Sequence, residues 1–281
     1  MNHVLICGAS TRAAAESAAR AGFVVTALDG YADLDQHPLV RALSLPRDFD
    51  RRLTPCAAAR ASRSIECDAV VYLSSFENHP RAVARLAANR TLWGNGPDVL
   101  VRVRDPVRLA EAMRRRGFSV PAVRPGRDTA DPGAVRDWMI KPLRSGGGRR
   151  VRRWNGRPRR DAYLQQHIDG VPASVVFVAA GRQAVTLGLS RQLIGEETFG
   201  ADGYRYCGSI LGADAIADCG SATVEQMGAL AAAVSEEFEL KGVNGIDVMI
   251  AGGVPYAIEV NPRWSSSMEL VERNSGVSVF A

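Results

Sequence analysis

The chain has 281 residues, 46% of them hydrophobic and 23% charged, with 35 Lys and Arg against 30 Asp and Glu for a formal net charge of +5. That length can bury one large core or two smaller ones. No run approaches the roughly 18 apolar residues of a membrane span, and the start MNHVLICGAS lacks a basic leader, so a cytoplasmic protein without a membrane partner is expected. The five cysteines (Cys7, Cys56, Cys67, Cys207, Cys219) form no CxxC pair and no zinc-like cluster, which predicts reduced thiols and no structural metal.

In chain order, HVLICG predicts a strand ending at Gly8, ASTRAAAESAARAG a helix closed by Gly22, and FVVTALDG a second strand ending at Asp29. A third strand–helix unit follows at DAVVYLSS and PRAVARLAANR. This alternation predicts an α/β domain, a small parallel sheet covered by helices, with ligands expected at the carboxyl ends of its strands. Gly8-Ala9-Ser10 does not make GxGxxG, so no ribose role attaches to Asp29, and a scaffold with a degenerate nucleotide-binding look is the preferred reading. The loop SSFENHP after the third strand makes Glu77 and Asn78 substrate-site candidates, against the ordinary alternative of solvated loop residues.

GNGPD punctuates the chain and predicts a domain boundary, with residues 1–96 before it and 97–281 after it. DPVRLAEAMRRRG then reads as a helix capped by Asp105, with Pro106 in its first turn and Gly117 at its stop. A second helix is predicted from Thr223, whose side chain fits a capping box with Gln226, to about Leu240 before Gly242. Around these helices DWMIKPL, VRRW, AYLQQHI, ASVVFVAA, AVTLGLS, GIDVMI and PYAIEV read as strands. The succession predicts a second, α+β domain built on mixed, largely antiparallel sheet.

Four segments of that domain could carry chemistry. In MIKPLRSGGGRRV, Lys141 lies on a strand before Ser145-Gly146-Gly147-Gly148. Consecutive glycines let backbone N–H groups approach phosphate oxygens, and a neighbouring lysine adds a point charge. The lysine precedes the glycines, so this is no Walker A loop; a bare hairpin tip is the competing account. In AIEVNPRW, Glu259 and Asn261 are two apart on a strand and share a face, a carboxylate and an amide oxygen suited to magnesium. Asp247 in NGIDVMI is a charge in an apolar strand, a candidate third ligand or else a surface ion-pair partner. Arg263 would face the same way as Asn261 if the strand continued past Pro262, and could then stabilise a transferring phosphoryl group or an oxyanion. YLQQHIDG suits a link between two lobes, where main-chain groups near Gln166 and Ile168 could read adenine; His167 by itself reads as structural.

The order Lys141, glycine loop, QQHIDG, Asp247 and ExNPR resembles the ATP-grasp superfamily over nearly the whole chain. The resemblance implies a pre-ATP-grasp α/β domain before a two-lobed ATP-grasp domain hinged near residues 163–170. It implies ATP as cosubstrate with one or two Mg²⁺ ions, which Mn²⁺ could replace. Lys141 would then contact the phosphates, Ser145, Gly146, Gly147 and Gly148 would form the flap, and Gln165, Gln166, His167, Ile168 and Asp169 would line the adenine site. Asp247, Glu259 and Asn261 would hold the metal, and Arg263 with Lys141 would be catalytic. The implied reaction joins a small-molecule carboxylate to an amine through an acyl phosphate. SSFENHP, WGNGPDVLVRVRDP, KPLRSGGG and FGADGYRYCG resemble the branch that includes tyramine–glutamate ligase and relatives in one-carbon cofactor biosynthesis.

Two positions depart from the family pattern. The basic residue near the start of the ATP-binding lobe has three stand-ins, Arg102, Arg104 and Arg108, and the acidic ribose ligand after the hinge is replaced by Val171-Pro172, leaving Asp169 as the nearest acid. For the carboxylate substrate, Arg191 and Arg205 join Glu77 and Asn78 as candidates, since a guanidinium fork matches that group. A phosphotransferase, a nucleotide-binding regulator without turnover and a nucleic-acid binder are the rivals. The last would use the arginine run Arg149–Arg160, but Trp154 is its one aromatic residue and no nucleic-acid motif accompanies it, so no nucleic-acid partner is expected. A homo-oligomer is compatible with the pattern.

Overall fold

The protein is represented by a computed structural model that describes residues 3–128, 137–216 and 219–281. It divides into two compact units. The first comprises Met1–Val101, Leu240–Asn244 and Asn261–Ala281, and the second Arg102–Glu239 and Gly245–Val260.

The first unit is built on β1 (His3–Cys7), α1 (Arg12–Arg20), β2 (Val24–Asp29), β3 (Val40–Ser44), α2 (Leu45–Phe49), α3 (Pro55–Ala61), β4 (Ala69–Tyr72), α4 (Pro80–Leu86) and β5 (Thr91–Leu92). Its five strands pair in the order β3-β2-β1-β4-β5, all parallel. Leu5, Leu28, Val70, Phe76 and Leu86 are buried in one cluster, as near-continuous apolar strands of a sheet covered by helices require. β3 lacks a clear signal in the sequence: VRALS carries an arginine and alternates weakly, and only its pairing with β2 makes it a strand. Chain order reverses between β1 and β4, which places a crevice beyond their carboxyl ends.

Next come α5 (Pro97–Val103) and α6 (Pro106–Arg115). Asp105 caps α6 as its sequence predicts, accepting from the N–H groups of Val107 and Arg108. The second unit holds a four-stranded antiparallel sheet of order β6-β9-β7-β8, from β6 (Val123–Pro125), β7 (Trp138–Pro142), β8 (Arg152–Arg153) and β9 (Ala162–Gln166). Its apolar face gathers Trp138, Ile140, Trp154, Ala162 and Leu164. A five-stranded sheet of order β12-β11-β10-β13-β14 comprises β10 (Val171–Gly181), β11 (Gln183–Ile194), β12 (Tyr206–Leu211), β13 (Leu240–Ala251) and β14 (Val254–Asn261). The segment 167–170 links β9 of one sheet to β10 of the other.

The helix α7 (Ser221–Phe238) packs on β10 and β11, burying Met227, Leu230, Val234 and Phe238 at helical spacing. Its ends correct the sequence reading. The helix starts at Ser221, before Thr223, and the Thr223 hydroxyl donates to the Gly253 carbonyl at 2.7 Å instead of closing a capping box. It stops at Phe238, because Glu239 takes the left-handed conformation that Gly242 was expected to supply. The helix α8 (Ser267–Ser275) completes the first unit. Among the described residues no helix is long and apolar enough to cross a membrane.

Candidate functional site

On β7, residues alternate between the apolar cluster and the opposite face, so Met139 and Lys141 share the face that Tyr163 and Gln165 present from their paired positions on β9. Lys141 is half-buried, and among the described residues its ammonium makes no ion pair or hydrogen bond. Burial lowers its pKa, while the charges of Glu259 and Asp247 pull it back up. The same carboxylate of Glu259 helps burial push the Tyr163 phenol upward. Lys141, Glu259 and Asp247 thus lie within one electrostatic neighbourhood, although they are far apart in sequence.

The two carboxylates come from neighbouring strands, Asp247 from β13 and Glu259 from β14. Asp247 accepts a hydrogen bond from the Gln192 side chain at 2.9 Å, and Glu259 forms an ion pair with Arg104. The Arg104 guanidinium also donates to the Val260 carbonyl at 3.0 Å and to the Ser145 carbonyl at 3.5 Å. Of the three candidate arginines, Arg104 therefore meets both the acidic cluster and the start of the glycine loop. Arg102 instead donates to the Phe238 carbonyl at 3.3 Å, and Arg108 is exposed.

The glycine loop is docked at one end. Gly148 has φ +71, and a Cβ there would overlap the carbonyl oxygen of Tyr204. Tyr206 N–H donates to the Gly147 carbonyl at 3.3 Å. At Gly146 and Gly147 a Cβ would meet nothing within 4 Å, so there is space beside the backbone there, as an anion cradle would need. In the linking segment, Gln165 is buried and donates to the Ile258 carbonyl at 3.1 Å. The N–H groups of Gln166 and His167 are committed to the carbonyls of Ala122 and Asp137, at 2.8 and 2.7 Å. His167 contacts the exposed Asp169 at 3.2 Å, and burial with the nearby Arg153 lowers its pKa.

The remaining candidates belong to the first unit, apart from two arginines. Glu77 and Asn78 are buried, 2% and 7% exposed, in the turn after β4; they are not solvated loop residues. Glu77 forms a 2.9 Å ion pair with Arg263. The expectation that the strand carries on through Arg263 fails: β14 ends at Asn261 because Pro262 has no N–H to donate. Arg263 turns back, its N–H donating to the Asn261 carbonyl at 2.8 Å and its guanidinium to Asn261 Oδ1 at 3.3 Å. In the second unit, Arg191 is exposed on β11, and Arg205 is exposed in an ion pair with Asp202 at 3.1 Å.

The profile of the ATP-grasp domain matches residues 103–267, more than half of the chain. The chain belongs to the ATP-grasp family. An uncharacterised protein of Methanocaldococcus jannaschii is 22% identical over 296 residues, spanning 96% of this chain and 70% of that one. The biotin carboxylase domain of 2-oxoglutarate carboxylase from Hydrogenobacter thermophilus, solved with MgADP, ADP and bicarbonate, superposes with a TM-score of 0.75 at 14% identity, covering 99% of this chain and 68% of that one. L-amino acid ligase from Bacillus licheniformis gives a TM-score of 0.66 at 17% identity, covering 100% and 72%. These likenesses show the fold: an α/β domain with a small parallel sheet, followed by the α+β ATP-grasp domain with its two antiparallel lobes.

Within this ATP-grasp chain three contacts escaped the sequence. Gln192 on Asp247 had no signal, since a glutamine on a strand is usually just polar. Arg104 on Glu259 had a partial one, as the basic residue immediately before the Asp105-Pro106 cap. The docking of the glycine loop on Tyr204 could have been suspected from FGADGYRYCG, whose glycines and aromatics mark a shaped loop. The donor chemistry of the second unit fits a hard divalent cation beside phosphates: two carboxylates, each already held by a polar or cationic donor.

Proposed function

We propose that this protein is an ATP- and Mg²⁺-dependent ligase that activates a small-molecule carboxylate as an acyl phosphate and joins it to an amine. The observation that carries the reading is the neighbourhood of Lys141, Glu259 and Asp247 in the second unit, with a glycine loop whose middle is open. A half-buried lysine with no ion pair among the described residues is stabilised by an anionic ligand, and a triphosphate supplies one. In this reading the ATP-grasp domain takes residues 97–281, with its hinge at residues 163–170. Gln165 to Asp169 would line the adenine site, and Ser145 to Gly148 would cover the phosphates.

Asp247, Glu259 and Asn261 would hold the metal, which supplies charge neutralisation at the β- and γ-phosphates when bound. Glu259, now paired with Arg104, would hold that cation, and the Arg104 guanidinium would be near enough to serve a phosphate oxygen. The substrate carboxylate oxygen bonds to the γ-phosphorus as the bond to the β-phosphate oxygen breaks, and ADP leaves. The amine nitrogen then bonds to the acyl carbon, the carbon–oxygen bond to phosphate breaks, and the nitrogen gives up its proton to solvent. Arg263 would stabilise the charge on the tetrahedral carbon's oxygen. No side-chain nucleophile is needed, so catalysis rests on placement and fixed charge.

The branch with tyramine–glutamate ligase gives the first substrates to try, on the strength of SSFENHP and FGADGYRYCG. The test is an ADP-release screen over amino acids paired with amines, glutamate with tyramine included, in the presence of Mg²⁺ and repeated with Glu259→Gln. ADP release that requires both partners is expected, and the substitution is expected to abolish it. ADP release indifferent to the amine would point to a phosphotransferase. Full activity in Glu259→Gln would remove the metal assignment.

A further inference from the structure

The chain leaves the sheet after Asn261, where Pro262 has no N–H to offer a ladder, and side chains of the first unit hold Pro262 and Arg263. The Pro262 carbonyl accepts from the Tyr72 hydroxyl at 3.1 Å and from Asn95 Nδ2 at 3.1 Å. Asn95 Nδ2 also donates to Asn244 Oδ1 at 2.7 Å, and Asn95 Oδ1 accepts from Lys241 N–H at 2.8 Å. Tyr72, Asn95 and Asn244 are all buried. One residue on, the Arg263 guanidinium meets Glu77 at 2.9 Å and donates to the Trp264 carbonyl at 2.9 Å.

This ion pair is badly arranged for stability alone. Glu77 Oε2 and Arg263 Nε are both buried with no hydrogen-bond partner among the described residues, and such atoms cost more than an apolar pair of the same volume. What the pair does secure is one orientation of a guanidinium whose neighbour's carbonyl is clamped twice. We infer that Glu77 and Asn95 are positioning residues: the amide clamp fixes the backbone at Pro262, and the buried carboxylate sets the direction of Arg263. Glu77 therefore acts through the arginine and does not hold a carboxylate substrate, which its own charge would repel. The consequence for turnover rests on the ligase reading; the placement of Arg263 does not.

The test uses Glu77→Gln, Asn95→Asp, Arg263→Lys and the Glu77→Gln/Arg263→Lys double variant of the full chain. With any substrate pair found by the screen, the two positioning variants are expected to lower kcat about 10- to 100-fold with KM for ATP within about 2-fold. The double variant is expected to match Arg263→Lys, since both changes remove the same oriented charge. Independently of turnover, the Arg263 Nε–H resonance of protein labelled with ¹⁵N-arginine, identified by its loss in Arg263→Lys, should shift and broaden in Glu77→Gln. An unmoved resonance overturns the proposal, as does a Glu77→Gln kcat equal to wild type or losses that multiply in the double variant. A wild type that turns over no ATP defeats the ligase reading, and the resonance still decides the placement. If Glu77→Gln does not fold, Glu77→Asp, with its carboxylate one methylene short, is read by the same two measurements.

Discussion

The parallel sheet of the first unit and the paired antiparallel sheets of the second each carry a glycine turn after a strand and an acidic residue on a later one, but they use their polar groups in opposite ways. In the first unit the turn is filled. Asp29 accepts from Thr11 N–H and Oγ1 at 3.0 and 2.7 Å and from Tyr31 and Ala32 N–H at 2.8 Å each. At the crevice beyond β1 and β4, Ala9 N–H donates to the Ser74 carbonyl at 2.6 Å, and Leu73 packs so tightly on Gly8 that a Cβ there would come within 2.6 Å of it. In the second unit Lys141 has no such saturation among the described residues, and a Cβ at Gly146 or Gly147 would meet nothing within 4 Å. A nucleotide-binding look is thus a property of topology, whereas the capacity to bind lies where charge and backbone donors remain uncommitted.

The largest effect that would sharpen this contrast comes from Lys141→Met. Turnover is expected to fall about 100-fold or more, and MgADP affinity about 10-fold or more, because the phosphate charge loses its partner. Stability should move the other way. Burial lowers the folded-state pKa of Lys141 from its ordinary 10.5, so the charged form is disfavoured by folding at every pH below that lowered value. The penalty fades as pH rises through the folded pKa toward 10.5. Lys141→Met is therefore expected to be more stable than wild type near neutrality, with the gap closing in alkali. Urea titrations at several pH values measure this, and a less stable methionine variant at neutral pH would break the account of a cation that burial disfavours more than its neighbours favour it.

The saturated turn should respond in the reverse sense. Asp29→Ala removes a carboxylate that accepts four hydrogen bonds and leaves three buried or half-buried backbone donors searching for partners, at a cost of about 2–4 kcal/mol. MgADP affinity, measured by calorimetry below the melting transition, is expected to stay within about 2-fold, since this acid serves the fold. A large loss of affinity at unchanged stability would reverse the roles given to the two turns.

Much of this is legible in the sequence alone. Strands that alternate or run apolar, such as AVVY and WMIKP, announce themselves, and so does a helix start as well marked as Asp105-Pro106. The strand β3 and the ends of α7 are not legible, because they depend on a partner strand and on a single left-handed glutamate that no local pattern marks. For the site, residue types and order point to Lys141, Asp247 and Glu259. The partners that set their state, Gln192 and Arg104, come from distant segments, and sequence spacing carries no information about such contacts. The burial of Glu77 is hidden for the same reason: its counterion lies 186 positions further along the chain, the difference between 263 and 77.

The smallest expected effect tests how the glycine loop is held. Gly148→Ala places a Cβ against the Tyr204 carbonyl and forces a left-handed backbone on alanine, so the loop must lift or Tyr204 must move. A loss of about 1–3 kcal/mol is expected, with a rise of several-fold in KM for ATP. Gly146→Ala is the control: a Cβ there meets nothing within 4 Å, so its effect on stability should stay under about 0.5 kcal/mol. If the two alanines behave alike, the loop is not anchored on the Tyr204 segment, and the second unit would hold its phosphate-facing backbone by mobility rather than by docking. If they differ as expected, the open middle and the fixed end of one loop are separate features. The contrast between committed and uncommitted backbone then holds within a single turn as well as between the two units.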